Sequence, residues 1–125
     1  LRGSKPNAQS YHNFAHVLSK TGKYRESIVV YRLALELDDK EHRSWFGLGT
    51  SLLALEQNEE AASAFRKAVT FMPANGYYWL GLATSYVELK KYTKAKNAMN
   101  RAQTLGVDIT LIRDELKKQA PELFE

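Results

Sequence analysis

Two histidines, His12 and His16, are the side chains of this sequence whose spacing could bind a metal ion. Being four residues apart, they fall on one face of a helix, as paired imidazole ligands of helical zinc sites do. The pattern places no third histidine and no acidic residue beside them, so we expect no metal and no other cofactor. The alternative is a pH-sensitive wall of a binding surface, because imidazole titrates near neutral pH.

A run of basic residues in the last third of the chain is a second group that could bind a ligand. Within a stretch free of acidic residues stand Lys90, Lys91, Lys94, Lys96 and Arg101. Such a run could recognise an acidic or phosphorylated partner or a membrane surface, and it could equally be a solvated helix face. The net charge of +4 is modest and only Tyr92 supplies an aromatic ring, so nucleic acid is not expected as a partner.

The composition of the 125 residues argues against catalysis. There is no cysteine, which excludes a thiolate nucleophile and a disulfide. No nucleophile–base–acid arrangement, phosphate-binding loop or carboxylate pair can be assigned, so we expect a binding protein rather than an enzyme.

No apolar run approaches the roughly 20 residues of a membrane span, and no signal-peptide pattern opens the chain. A cytoplasmic location is therefore expected.

The segments that carry these side chains repeat every 34 residues. The middle unit, His42–Asn75, follows the pattern W-x2-L-G-x2-L…A-x3-F-x2-A-x4-P, formed by Trp45, Leu48, Gly49, Leu52, Ala61, Phe65, Ala68 and Pro73. Related residues occur 34 positions earlier and later, so three units abut: Ala8–Glu41, His42–Asn75 and Gly76–Ile109. This pattern resembles the tetratricopeptide repeat (TPR), a helix-turn-helix unit.

The resemblance implies an all-α solenoid of three repeats, or six helices, closed by a seventh capping helix in residues 110–125. Large side chains at repeat positions 4, 7, 11 and 24, such as Phe14, Trp45 and Phe65, are then packing residues. The turn of the second repeat lacks glycine, and Gln57 or Asn58 is expected to make its bend. Residues 1–7 are interpreted as a tag remnant and a disordered leader.

TPR arrays line a concave groove with the first helix of each repeat, and the resemblance assigns partner-binding residues to that groove. They are His12, Asn13, His16, Arg43, Phe46, Gly47, Thr50, Tyr77, Leu80, Gly81 and Thr84, with Leu111, Asp114, Glu115 and Lys118 added by the capping helix. Phe46, Leu53, Tyr77, Leu80 and Val87 are apolar where packing within a repeat does not require it, so they form a contact patch or pack between neighbouring first helices. Gly47 and Gly81 destabilise a helix, and they mark either pits for a ligand or close helix–helix contacts.

The predicted function is protein–protein binding, in which the groove holds an apolar or amphipathic segment of a partner. Heat-shock co-chaperones of this family clamp an acidic tail with lysine, arginine and asparagine. At the corresponding positions this chain has His12, His16, Gly47, Tyr77 and Gly81. We therefore do not expect that clamp. Two alternatives are open: a chaperone similar to the translocator chaperones of type III secretion, and a self-associating scaffold.

Overall fold

The computed structural model describes residues 5–125. The helices are α1 Ala8–Lys20, α2 Tyr24–Leu37, α3 His42–Ala54, α4 Asn58–Phe71, α5 Gly76–Glu88, α6 Tyr92–Thr104 and α7 Thr110–Gln119, followed by a short 3-10 turn, Pro121–Phe124. This confirms the predicted all-α fold with a seventh helix. None of the helices in residues 5–125 is long and apolar enough to cross a membrane.

Asn7, the last residue of the interpreted leader, is the N-cap of α1. The Oδ1 atom of Asn7 accepts a hydrogen bond from the backbone N–H of Ser10 at 2.8 Å, and the Oγ atom of Ser10 accepts one from the N–H of Asn7. This reciprocal pair caps the first turn of α1. Residues 1–4, which carry the tag interpretation, lie outside the described residues.

The helices stack in the order of the chain. Each odd helix pairs with the next even one, and α2 and α4 also pack against the following pair. Helices α1, α3 and α5 contact one another in turn, and α7 contacts α5 and α6. The four helices α1, α3, α5 and α7 therefore form one side of the solenoid, whose exposed and half-exposed side chains we call the inner face.

The core follows the repeat pattern of small and large side chains. Alanines such as Ala15 and Ala83 are fully buried and let the helices of a pair approach closely, while Tyr31 and Phe65 fill the space between pairs. Trp45 is half-buried, and its indole N–H donates to the carbonyl of Asp39 at 2.7 Å. The assignment of these large residues to packing is confirmed.

Phe14 is an exception among the predicted packing residues. Leu48 and Leu82, which occupy the same repeat position, are 5% and 4% exposed, whereas Phe14 is 56% exposed. The difference arises because α2 and α4 cover the faces of α3 and α5, and in residues 5–125 no helix precedes α1. Phe14 and its neighbour Val17 form an uncovered stacking face.

The turns between paired helices share one backbone conformation at repeat position 15. Gly22 has φ +82°, and Glu56 and Lys90 each have φ +60°. The expectation that Gln57 or Asn58 makes the bend is wrong, because the left-handed residue is Glu56. The N–H of Gln57 then donates to the carbonyl of Leu52 at 2.9 Å and closes the end of α3. The left-handed conformation costs a residue with a Cβ atom about 1–2 kcal/mol, and glycine avoids this cost because it has no Cβ atom.

Candidate functional site

The inner face has a cavity near each end, and the predicted groove residues are divided between them. The α1–α3 cavity, of about 410 Å³, is lined by His12, His16, Ser19, Lys20, Tyr24, Tyr31, Arg43, Phe46, Gly47, Thr50 and Tyr78. The α5–α7 cavity, of about 340 Å³, is lined by Leu80, Thr84, Val87, Glu88, Asp108, Leu111, Ile112 and Glu115. Phe46 and Leu80 of the predicted patch therefore line different cavities, and Tyr77 lines neither.

The polar side chains of the α1–α3 cavity are largely bonded within the chain. The Nδ1 atom of His12 lies 3.1 Å from the Oγ atom of Ser44. Arg43 pairs with Glu41, with the Nη2 atom 3.1 Å from Oε2, and it also donates to the side-chain oxygen of Gln9. These contacts join α1 to α3 and fix the orientation of the cavity wall.

His12 and His16 meet as their spacing predicts, with ring centroids 6.2 Å apart. Residues 5–125 contain no group of three or more histidine or acidic side chains placed to hold a metal. Burial lowers the pKa of His12, and the positive charge of Arg43 lowers it further. His12 therefore favours its neutral form, which suits its bond to Ser44.

An aromatic stack closes one side of the α1–α3 cavity. The ring of Phe46 lies against the ring of Tyr78 with centroids 4.8 Å apart, and against Phe65 at 5.6 Å. The Tyr78 hydroxyl lies 2.7 Å from the Nδ1 atom of His42. Phe46 thus follows the packing alternative. Sequence reasoning missed Tyr78, although it stands at a repeat position that holds serine in the other two units.

The two helical glycines of the predicted site are packing residues. A Cβ atom on Gly47 would lie 2.2 Å from the Cζ atom of Tyr31, and one on Gly81 would lie 2.6 Å from the Cε1 atom of Phe65. The ring of the preceding even helix therefore occupies the space that each glycine leaves. The interpretation as pits for a ligand is wrong, and the alternative of close helix–helix contact is right.

The α5–α7 cavity is apolar on its floor and acidic on its rim. Val87 and Ile112 are buried beneath it, Leu80 is half-buried, and Leu111 is 88% exposed at its edge. The exposed acidic side chains in the lining are Glu88, Asp108 and Glu115. Leu111 and Glu115 come from α7, so the capping helix contributes to the inner face.

Other predicted groove residues lie outside both cavities. Tyr77 is 64% exposed, but it lines a corner with Met72, Leu105 and Val107 instead. Asn13 is exposed, and its Oδ1 atom accepts a hydrogen bond from Gln9 at 2.9 Å. The structure therefore does not bring these two side chains together with the rest of the site.

The basic run does not form one free surface. Lys90, Lys91 and Lys94 are exposed, but Lys96 is half-buried. The amino group of Lys96 donates to the carbonyl of Leu123 and lies 4.8 Å from the centroid of the Phe124 ring. The interpretation of Lys96 as part of a binding surface is wrong, because it holds the C-terminal turn.

Comparison with known families identifies the fold. Two models of the tetratricopeptide repeat match residues 12–78 and 52–108. The chain belongs to the TPR family. No curated protein matches the sequence. Because the family and the fold are those of TPR domains, the chain is a protein–protein interaction module.

Solved TPR structures resemble this domain closely. The first TPR domain of Spaghetti (RPAP3), bound to the HSP90 peptide SRMEEVD, has a TM-score of 0.86 and 20% identity, over 95% of this chain and 94% of that one. YrrB, a TPR protein with an unusual peptide-binding site, has a TM-score of 0.79 and 26% identity, over 92% and 70%. A chain of the CopN–Scc3 complex has a TM-score of 0.75 and 19% identity, over 90% and 66%.

Proposed function

We propose that this TPR domain binds a peptide or an extended partner segment along its inner face, with the α5–α7 cavity as the main apolar contact. The exposure of Leu111 carries the proposal, because 88% of this large apolar side chain is in water at the edge of a cavity floored by Val87 and Ile112. Covering a leucine side chain contributes roughly 1.5–3 kcal/mol. A partner side chain seated here gains that contact without any rearrangement of the core.

The α1–α3 cavity offers polar groups that would orient the bound segment, rather than apolar contact area. Arg43 has guanidinium donors beyond those bonded to Glu41 and Gln9, and the amino group of Lys20 is exposed at the same cavity. These groups can hydrogen-bond the carbonyls or polar side chains of a bound segment. The position of Arg43 is fixed by its bonds to Glu41 and Gln9, which reduces the entropy lost on binding.

The segment that fits this face is apolar or amphipathic. A clamp for an acidic chaperone tail needs asparagine where this chain has Gly47, and basic side chains where it has Tyr77 and Gly81. Glu88 and Glu115 beside the apolar floor would repel such a tail. The HSP90 peptide bound by the first TPR domain of Spaghetti is therefore not the kind of partner proposed for this chain.

Paired affinity capture from a lysate of the source cell tests the proposal. The baits are the wild type, the variant Leu80→Ala/Leu111→Ala, and the control Val29→Ala, which removes an apolar side chain 58% exposed on α2 and outside both cavities. We expect a protein that the wild type and the control retain and the double variant loses. Circular dichroism of all three baits confirms that each remains folded.

The alternatives give other outcomes of the same experiment. Equal retention by all three baits contradicts the inner-face proposal and directs attention to the exposed Lys90, Lys91 and Lys94. Recovery of the bait alone, with a mass in solution that rises with concentration, favours a self-associating scaffold. A client that co-purifies in a stable 1:1 complex favours a chaperone.

A further inference from the structure

The rim of the α5–α7 cavity is acidic although the chain as a whole is basic. Glu88 ends α5, Asp108 precedes α7 and Glu115 lies on α7, while the sequence has a formal net charge of +4. None of the residues that line the cavity is lysine or arginine. The amino group of Lys118 lies 3.6 Å from the Oε2 atom of Glu115, with both side chains well exposed. Hydrogen bonds from Thr110 and, to a smaller extent, the positive charge of Arg113 lower the pKa of Asp108. The charged residues that line this cavity are therefore all acidic.

The carboxylates stand around an apolar floor, and this combination selects a particular kind of side chain. The aliphatic stem of lysine or arginine packs on apolar surface while its charged end reaches out to polar groups. An apolar neighbour of that residue can occupy the floor between Leu80 and Leu111. An acidic neighbour would meet three carboxylates and be disfavoured.

The α1–α3 cavity has the opposite character. Lys20 and Arg43 line it, none of its lining residues is acidic, and Glu41 is paired with Arg43. A segment lying along the inner face therefore meets its acidic rim only at the α7 end. The preference for a basic residue belongs to that end of the segment and not to its whole length.

From this complementarity we infer that the α5–α7 cavity takes an apolar side chain flanked by lysine or arginine, so that the partner segment is amphipathic and basic at its α7 end. The inference rests on the proposed function and adds the chemical class of the segment. It makes the cavity selective, since an apolar segment flanked by acidic residues would fill the floor but meet repulsion at the rim.

Panning a phage-displayed library of random linear peptides on the wild-type domain tests this inference. We expect enrichment of peptides with an apolar residue next to lysine or arginine, and an affinity that falls with added salt. For a synthetic copy of an enriched peptide, Leu111→Ala and Glu88→Lys should each weaken binding about 10-fold. The matched control is Glu36→Lys, which makes the same charge change at an exposed position near the end of α2.

The outcomes separate the inference from the proposed function. Enrichment of acidic peptides, or of basic peptides whose binding survives Leu111→Ala and Glu88→Lys, overturns the inference and leaves peptide binding standing. An equal loss of affinity with Glu36→Lys also overturns the inference, because it would show that the affinity depends on the net charge of the domain and not on the rim of the cavity. Failure to enrich any peptide above an unrelated bait counts against both the inference and the proposed function.

Discussion

The two cavities of the inner face differ in how many of their side chains are bonded or packed within the chain. In the α1–α3 cavity His12 is bonded to Ser44, Arg43 is paired with Glu41, and Phe46 is stacked on Tyr78. In the α5–α7 cavity Leu111 is exposed to water beside the apolar floor formed by Val87 and Ile112. Groups already bonded within the fold offer little additional energy to a partner, whereas exposed apolar area offers about 25 cal/mol per Å² covered. Substitutions in the first cavity should change stability, and those in the second should change binding.

The largest expected effect on stability is that of Gly47→Ala. The new methyl group would overlap the ring of Tyr31, which is almost fully buried, so that the ring or α3 must shift. Overpacking of this kind costs about 1–3 kcal/mol, which exceeds the gain of up to about 1 kcal/mol in helix propensity. Urea unfolding should show a lower midpoint with an unchanged slope.

A double-mutant cycle isolates that contact. Combining Gly47→Ala with Tyr31→Leu removes the ring that the methyl group meets, so the two losses should be clearly less than additive. Additive losses would show that Gly47 is required for some reason other than the ring of Tyr31.

Leu111→Ala should produce the reverse outcome in the second cavity. It removes exposed apolar surface, so the unfolding midpoint should stay within experimental error of the wild type. Binding of a peptide selected on the wild type should weaken about 5- to 30-fold, from a loss of roughly 1–2 kcal/mol measured by calorimetry. A fall in stability with unchanged affinity would reverse the proposed roles of the two cavities.

A smaller stability loss is expected for Tyr78→Phe. The ring keeps its stack on Phe46, but the hydroxyl that lies 2.7 Å from His42 is removed. The loss of one such hydrogen bond costs about 0.5–1.5 kcal/mol. The adjacent Tyr77→Phe serves as the control, because that side chain is largely exposed. Equal effects of the two substitutions would contradict the claim that the first cavity is held by its internal bonds.

The smallest expected effect is the pH dependence contributed by His12. Burial and then Arg43 lower its pKa in the folded state, Glu41 opposes this, and His16 adds a small lowering. The unfolded chain therefore binds more protons as the pH falls through its own higher pKa. The free energy of unfolding should decline from about pH 7 to about pH 5, and this decline should be shallower in His12→Asn.

His16→Asn is the control for this pH series, since His16 is exposed on the same helix. The two variants should differ in slope and not only in absolute stability. Parallel curves for the wild type and His12→Asn would show that His12 does not couple protonation to folding.

The architecture was predictable because the repeat pattern records its packing directly. The small Ala15 and the large Trp45 and Phe65 stand at the spacing that packing between paired helices requires. That spacing predicts where the helices lie. The exposure of Leu111 also followed from the pattern, because α7 has an apolar stripe of Ile112 and Leu116 that turns Leu111 away from the core.

The errors concern contacts between residues far apart in sequence. Nothing in the pattern says that the Tyr31 ring fills the space above Gly47, or that Lys96 holds the carbonyl of Leu123. The division of the groove into two cavities follows from such contacts as well. The left-handed conformation of Glu56 is different, because aligning it with Gly22 at repeat position 15 would have predicted the turn.

The uncovered face formed by Phe14 and Val17 makes the α1 end of the solenoid the place where a repeat can be added by design. At the other end α7 buries Ile112 and Leu116 and presents charged side chains outward, which stops further stacking. An engineered repeat can therefore be grafted ahead of α1, where its second helix would cover Phe14 as α2 covers the face of α3. The two inner-face cavities would keep their places behind the new unit.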